Sequence, residues 1–151
     1  MAKQIEDDFC DDVPVFIGVL NGAFMVVADL LKKYSHNCEV SFVKMASYEG
    51  TQTTNEVKEL IGLNQSLEGR SVIIVEDIVD TGYSMAILLD ILNARRPKSL
   101  SVCALLSKPD RREVDVPIDY IGFTIPNHWV EGYGLDTNEK CRCLKDITRR
   151  I

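Results

Sequence analysis

Apolar residues along the first third of the chain come in short blocks, and their spacing changes from one block to the next. Pro14-Val15-Phe16-Ile17-Gly18-Val19-Leu20 is apolar without a break, and Asn21-Gly22 ends it, as expected of a buried strand followed by a tight turn. From Ala23 to Tyr34 the period lengthens, with Phe24, Val27, Leu30 and Leu31 recurring at helical spacing. Glu39 to Ala46 is a second strand candidate, and the polar stretch Ser47 to Asn55 reads as a mobile loop. Glu56 to Leu63 returns from it as a further strand. Gly69-Arg70 then punctuates the chain before Ser71-Val72-Ile73-Ile74-Val75, a β-branched run with no polar alternation. Such a run suits a central parallel strand covered on both faces. Ser84 to Arg95 has one helical face of Met85, Leu88, Leu89 and Leu92, and Pro97 closes it. Leu100 to Leu106 and Tyr120 to Ile125 are the last strands, separated by the charged turn Lys108-Pro109-Asp110-Arg111-Arg112. Strands alternating with helices imply an α/β fold on a mainly parallel sheet.

Composition narrows the setting. At 151 residues and 46% hydrophobic, the chain suits one core and one domain. Its apolar runs fall far short of the roughly 20 residues a membrane-spanning helix needs, and MAKQIEDDF lacks a signal pattern. No membrane partner and a cytoplasmic location are therefore expected. The five cysteines lack the spacing of a disulfide framework, which fits free thiols in a reducing compartment. Cys141-x-Cys143 has no second pair or nearby histidine to complete a metal site, and His36 and His128 match no ligand pattern. A net charge of −6 argues against nucleic acid as a partner, since phosphate neutralisation needs clustered Lys and Arg. An anionic ligand would have to be held by backbone amides, metal ions and a few placed basic residues.

In an open parallel sheet, ligands bind beyond the carboxyl ends of the strands. After Val75 stand two acids, Glu76 and Asp77, then Asp80-Thr81-Gly82 leading into a helix whose first turn offers unpaired N–H groups and a positive dipole end. This arrangement suits a phosphate monoester, with the Thr81 and Ser84 hydroxyls adding hydrogen bonds and Gly82 allowing close approach. Taken singly, each residue has a plainer explanation: the acids as a solvated strand end, Asp80 or Thr81 as a helix N-cap.

Taken together, four apolar residues, two acids, two apolar residues and Asp-Thr-Gly resemble the signature of the type I phosphoribosyltransferases. The likeness extends from about Ile5 to Leu144 and is closest to the hypoxanthine-guanine branch. Gly18 to Phe24 looks like its pyrophosphate loop, Ser47-Tyr48 like its flexible lid, Leu105 to Pro109 like the segment whose lysine meets the purine's exocyclic oxygen, and Gly122 to Asp136 like the base loop and metal site. The resemblance implies a type I phosphoribosyltransferase fold over residues 1–151, a mainly parallel sheet flanked by helices with a small hood over the base. It also implies transfer of the 5-phosphoribosyl group from phosphoribosyl pyrophosphate to hypoxanthine or guanine, with Mg²⁺ as cofactor and a homodimer or homotetramer as the assembly.

Carried over residue by residue, the resemblance makes Glu76 and Asp77 ligands of the ribose hydroxyls and of Mg²⁺, and Asp80 the proton acceptor near purine N7. Asp80, Thr81, Gly82, Tyr83 and Ser84 would wrap the 5-phosphate. Lys108 would donate to O6, Trp129 would stack on the purine, and the Val130 backbone would read the ring edge. Leu20, Asn21, Gly22 and Arg142 would meet pyrophosphate, Asp136 would be a second Mg²⁺ ligand, and Ser47 with Tyr48 would close as the lid. Without the resemblance, a lone tryptophan is more often core, a lysine before a proline turn is usually solvated, and Asp136 and Arg142 would be surface residues.

Several positions depart from the family pattern. Asn21 stands where many relatives carry Lys or Arg, and Thr137 replaces the aromatic residue common after the metal aspartate. The family's pyrophosphate loop often holds a cis non-proline peptide, here expected at Leu20–Asn21. The chain starts within the family's N-terminal helix, and Lys145 to Ile151 does not follow the usual closing strand, so part of the hood over the base is expected to be abbreviated. A xanthine-preferring enzyme and a regulatory, nucleotide-sensing relative are the alternatives. A dinucleotide-dependent oxidoreductase is set aside, because no strand is followed by G-x-G-x-x-G.

Overall fold

A computed structural model describes residues 1–47 and 57–150. Its elements in chain order are α1 (Ala2–Asp8), β1 (Val15–Leu20), α2 (Phe24–Lys33), β2 (Glu39–Ser47), β3 (Val57–Ile61), β4 (Ser71–Val79), α3 (Tyr83–Asn93), β5 (Ser99–Ser107), β6 (Tyr120–Thr124), β7 (Val130–Glu131) and β8 (Thr148–Arg149). Six strands form one sheet in the order β3-β2-β1-β4-β5-β6. Every pairing from β2 through β6 is parallel, and only β3 runs antiparallel, against β2. The β-branched run predicted to be central lies between β1 and β5, with two strands beyond β1 and one beyond β5.

Both faces of that centre are buried, and the period of two along each strand divides the core in two. On one face Phe16, Ile73, Val75 and Leu105 pack with Val26, Val27 and Leu30 of α2 and Ile5 of α1. On the other, Val15, Ile17, Ile74, Val102 and Ala104 pack with Met85, Leu88 and Leu92 of α3. Glu6 fixes α1 to the end of α2 by accepting bonds from the Ser35 backbone N–H (2.6 Å) and hydroxyl (2.7 Å). The core thus holds β1, β4 and β5 rigidly, with their carboxyl ends at one edge of the sheet.

Most strand and helix bounds shift by one or two residues from the sequence reading, and three differences bear on the site or the chain's end. β4 does not stop at Val75 but pairs with β5 as far as Val79↔Ser107, so Glu76 and Asp77 belong to the strand's last turns of pleat rather than to a loop. Strand pairing overrides the polarity of the two acids. α3 ends at Asn93, and the chain has already turned through the positive φ of Arg96 (57°) before Pro97. Near the C-terminus a two-residue strand does form, β8, pairing antiparallel with β7 through Val130↔Arg149 and Glu131↔Thr148.

Candidate active site

A cavity of 380 Å³ opens at the carboxyl end of β4, lined among others by Leu20, Glu76, Asp77, Asp80, Thr81 and Ser84. β4 delivers the acids, and the start of α3 closes the floor. Gly82 is the N-cap residue of α3, at φ 93°, and no side chain caps the helix. The alternative in which Asp80 or Thr81 is an ordinary N-cap is therefore overturned, and the first-turn N–H groups have no partner within the helix. A Cβ on Gly82 would overlap the Val114 carbonyl oxygen, so glycine is needed for close packing as well as for its left-handed backbone.

The turn after β1 forms the opposite wall. The Leu20–Asn21 peptide is cis, as the resemblance led us to expect. Gly22 lies directly against Asp77, and a Cβ there would overlap the Asp77 carboxylate. Asp77 is buried, and its Oδ1 accepts a bond from the Ile78 N–H at 2.9 Å. Burial, and then the neighbouring Asp77 carboxylate, push the Glu76 carboxyl well above its ordinary range. Two adjacent carboxylates, one carrying that penalty, are hard oxygen donors whose repulsion a divalent cation would relieve. The pair fits Mg²⁺, which is commonly held by one or two carboxylates together with substrate phosphates. Among the described residues no three His, Cys, Asp or Glu side chains gather as a metal cluster, so Asp136 stands apart from this pair.

Asp80 links the cavity to the neighbouring loop. Its Oδ2 is 3.6 Å from Lys108 Nζ and 3.4 Å from an Arg111 guanidinium nitrogen. Its Oδ1 is buried and has no hydrogen-bond partner among the described residues. Lys108 is only 4% exposed, which overturns the solvated-lysine alternative. Arg112 was not singled out from the sequence. Its guanidinium donates to the backbone oxygens of Asp80 (3.1 Å) and Val79 (3.2 Å) and to the Ser107 hydroxyl (3.0 Å). It ties the end of β4 to the end of β5 and so fixes where Asp80 points. Nothing in its spacing sets it apart from the charged turn around it.

Trp129, Val130, Asp136 and Arg142 lie beyond β6 in the chain. Trp129 is 56% exposed and is not core; its indole N–H donates to the Thr137 hydroxyl at 2.8 Å. Val130 begins β7. Arg142 bridges Asp136 (2.8 Å) and Glu139 (3.0 Å) and also donates to the Gly134 carbonyl oxygen (2.9 Å). Gly134 packs against the carbonyl oxygen of Gly22, which brings the Asp136–Arg142 loop to the turn after β1. Tyr83 and Ser84 are exposed on the first turn of α3. Of the expected lid, Ser47 is the last residue of β2, and Tyr48 lies outside the described residues. His36 is exposed and His128 partly so.

Known proteins similar to this chain fall in one family. The model for the phosphoribosyl transferase domain matches residues 1–138. A hypoxanthine phosphoribosyltransferase of Escherichia coli (strain K12) is 42% identical over all of this chain and 86% of its own length. Its counterpart in Haemophilus influenzae is 44% identical over 91% of this chain and 77% of its own length. A crystal structure of a hypoxanthine-guanine phosphoribosyltransferase from Bacillus anthracis aligns with a TM-score of 0.91 at 40% identity, covering 99% of this chain and 89% of that one.

Proposed function

The chain belongs to the phosphoribosyl transferase domain family, and from that premise we propose that it serves purine salvage, moving the 5-phosphoribosyl group of phosphoribosyl pyrophosphate onto hypoxanthine or guanine. The observation that carries the choice of base is the pairing of a buried ammonium, Lys108, with the Asp80 carboxylate 3.6 Å away. A 6-oxopurine presents a carbonyl acceptor at O6 next to a ring N–H at N7. A donor beside an acceptor is the complement of that edge, and an ammonium facing the six position disfavours the amino group of adenine.

In this reading the first turn of α3, with Thr81 and Ser84, binds the 5-phosphate through N–H groups the helix leaves free. Glu76 and Asp77 take the ribose hydroxyls and would hold Mg²⁺. The metal, when bound, supplies charge neutralisation for the leaving pyrophosphate. Asn21, Gly22 and Arg142 orient that pyrophosphate, while Asp136 would hold a second Mg²⁺. Lys108 donates to O6, Trp129 stacks on the ring, and the Val130 backbone reads its edge. A base nitrogen then bonds to the anomeric carbon as the bond to pyrophosphate breaks, and Asp80 accepts the proton at N7. The Ser47-Tyr48 segment excludes water, which would otherwise compete for the ribosyl group.

We read residues 1–151 as one domain, assembling as a homodimer or homotetramer; a monomer by light scattering at assay concentration would remove the assembly. Five free cysteines support a reducing, cytoplasmic setting. Among the described residues no helix is long and apolar enough to cross a membrane. The proposal is tested by supplying hypoxanthine, guanine, xanthine and adenine in turn with phosphoribosyl pyrophosphate, with and without Mg²⁺, and following the ultraviolet change. Metal-dependent turnover of 6-oxopurines and not adenine is expected. Turnover of xanthine alone would favour the xanthine branch, and none with any base would favour a nucleotide-sensing relative.

A further inference from the structure

We propose that Thr137 is a positioning residue for the base, holding the indole of Trp129 in one orientation through the 2.8 Å bond from Trp129 Nε1 to its hydroxyl. The inference rests on the reading of Trp129 as the platform on which the purine stacks. Trp129 precedes β7 and is more than half exposed, so packing alone leaves its ring free to turn about two side-chain torsions. The indole N–H is a donor with no acceptor capacity. Engaging it fixes the ring plane before a base arrives, which removes an ordering cost from binding.

Thr137 is built to act as a fixed post. Its N–H donates to the Lys140 carbonyl and the Lys140 N–H donates back, both at 3.1 Å, across a turn whose Asn138 (φ 53°) and Glu139 (φ 61°) are left-handed. Asp136, one residue earlier, accepts from the Glu139 N–H at 2.8 Å and pairs with Arg142 at 2.8 Å. A β-branched side chain on so constrained a backbone has few rotamers to choose from. The hydroxyl thereby joins the base platform to the loop carrying Asp136 and Arg142. An aromatic residue at position 137 could not accept the indole N–H through a hydroxyl on Cβ.

The test uses the single tryptophan of the chain as a reporter. Thr137→Val keeps the shape and removes the acceptor, and it is expected to raise KM for hypoxanthine about three- to tenfold, the range for one net hydrogen bond. The KM for phosphoribosyl pyrophosphate and kcat should move less than about twofold on the same scale. Fluorescence anisotropy of Trp129 should show faster local motion of the indole, and Thr137→Ser should restore both readouts. In a Trp129→Phe background, which has no N–H to give, Thr137→Val should have no further effect on KM. Unchanged anisotropy, an equal rise in KM for phosphoribosyl pyrophosphate, or a full effect in the Phe background would each overturn the tether. Trp129→Ala tests the platform separately: an unchanged KM for hypoxanthine would sink the stacking role, while the anisotropy of wild type against Thr137→Val, both of which keep Trp129, would still report whether the tether exists.

Discussion

Replacing Asp80 with Asn isolates proton transfer from binding. Asp80 Oδ2 faces two cations, Lys108 at 3.6 Å and Arg111 at 3.4 Å, while Oδ1 is buried without a partner among the described residues. An amide in this place has one acceptor end and one donor end. The acceptor end must face the two cations, because an NH₂ group there would set donor against donor. In either orientation, neither end of an amide is basic enough to take the N7 proton. Loss of a positioned general base costs about 10²- to 10⁴-fold in rate, or about 3–5 kcal/mol in the barrier. Phosphoribosyl pyrophosphate does not need that proton acceptor, and the backbone around position 80 stays clamped by Arg112. We therefore expect kcat to fall by at least about 100-fold while the Kd for phosphoribosyl pyrophosphate, measured by calorimetry with Mg²⁺, changes little. Unchanged turnover, or loss of sugar-phosphate affinity in step with turnover, would refute the proton-acceptor role.

Lys108→Ala removes the donor aimed at O6 and should raise KM for hypoxanthine by about 10- to 100-fold, the scale of a hydrogen bond to a charged group, with a much smaller change for phosphoribosyl pyrophosphate; equal losses would contradict the assignment. Gly22→Ala places a methyl group on the Asp77 carboxylate, whose flexible end can swing away, so the protein should melt within a few degrees of wild type while binding of phosphoribosyl pyrophosphate collapses. Wild-type affinity in that variant would show that Asp77 need not sit where it does. At the opposite end of the sheet, the Lys98 ammonium, then the Ser71 hydroxyl and the Val13 N–H, hold Asp12 down at about 2. A depressed carboxylate stabilises the fold above its unfolded pKa and loses that contribution as pH falls through the window from about 4 to about 2. The full shift corresponds to about 2 kcal/mol, which solvent screening of a part-exposed pair reduces to about 1. Asp12→Asn should lower the melting temperature at pH 7 without affecting activity and flatten acid denaturation between pH 4 and 2; an unchanged acid profile would mean that Asp12 makes no such contribution.

The sheet was legible because burial on both faces leaves a mark in the chain. Ser71 to Val75 carries no polar alternation, and its residues divide between two cores, as a doubly covered strand requires. The extension of β4 to Val79 was not legible, since Glu76 and Asp77 look like a strand's end until the pairing with Ala104 to Ser107 is seen. The site motif was legible as a contiguous stretch, Glu76 to Ser84, because one strand, one turn and one helix start deliver all of it. Contacts between separated segments were not. Arg112 gripping Val79 and Asp80, Gly22 lying against Asp77, and Thr137 accepting from Trp129 each depend on how loops from different strand ends meet in space. The short strand β8 illustrates the same limit: two residues of pairing, Thr148 and Arg149, are too few to leave a period-two pattern.

In the proposed reaction one active site joins a 6-oxopurine to the ribosyl carbon that pyrophosphate leaves. The most direct measurement is the stoichiometry of a single reaction: hypoxanthine, phosphoribosyl pyrophosphate and Mg²⁺ with the wild-type protein, products separated by chromatography. One nucleotide is expected for each pyrophosphate released, and no pyrophosphate release beyond the blank when hypoxanthine is omitted. Pyrophosphate release that does not depend on the base, or no nucleotide from a folded protein that binds both substrates, would contradict it.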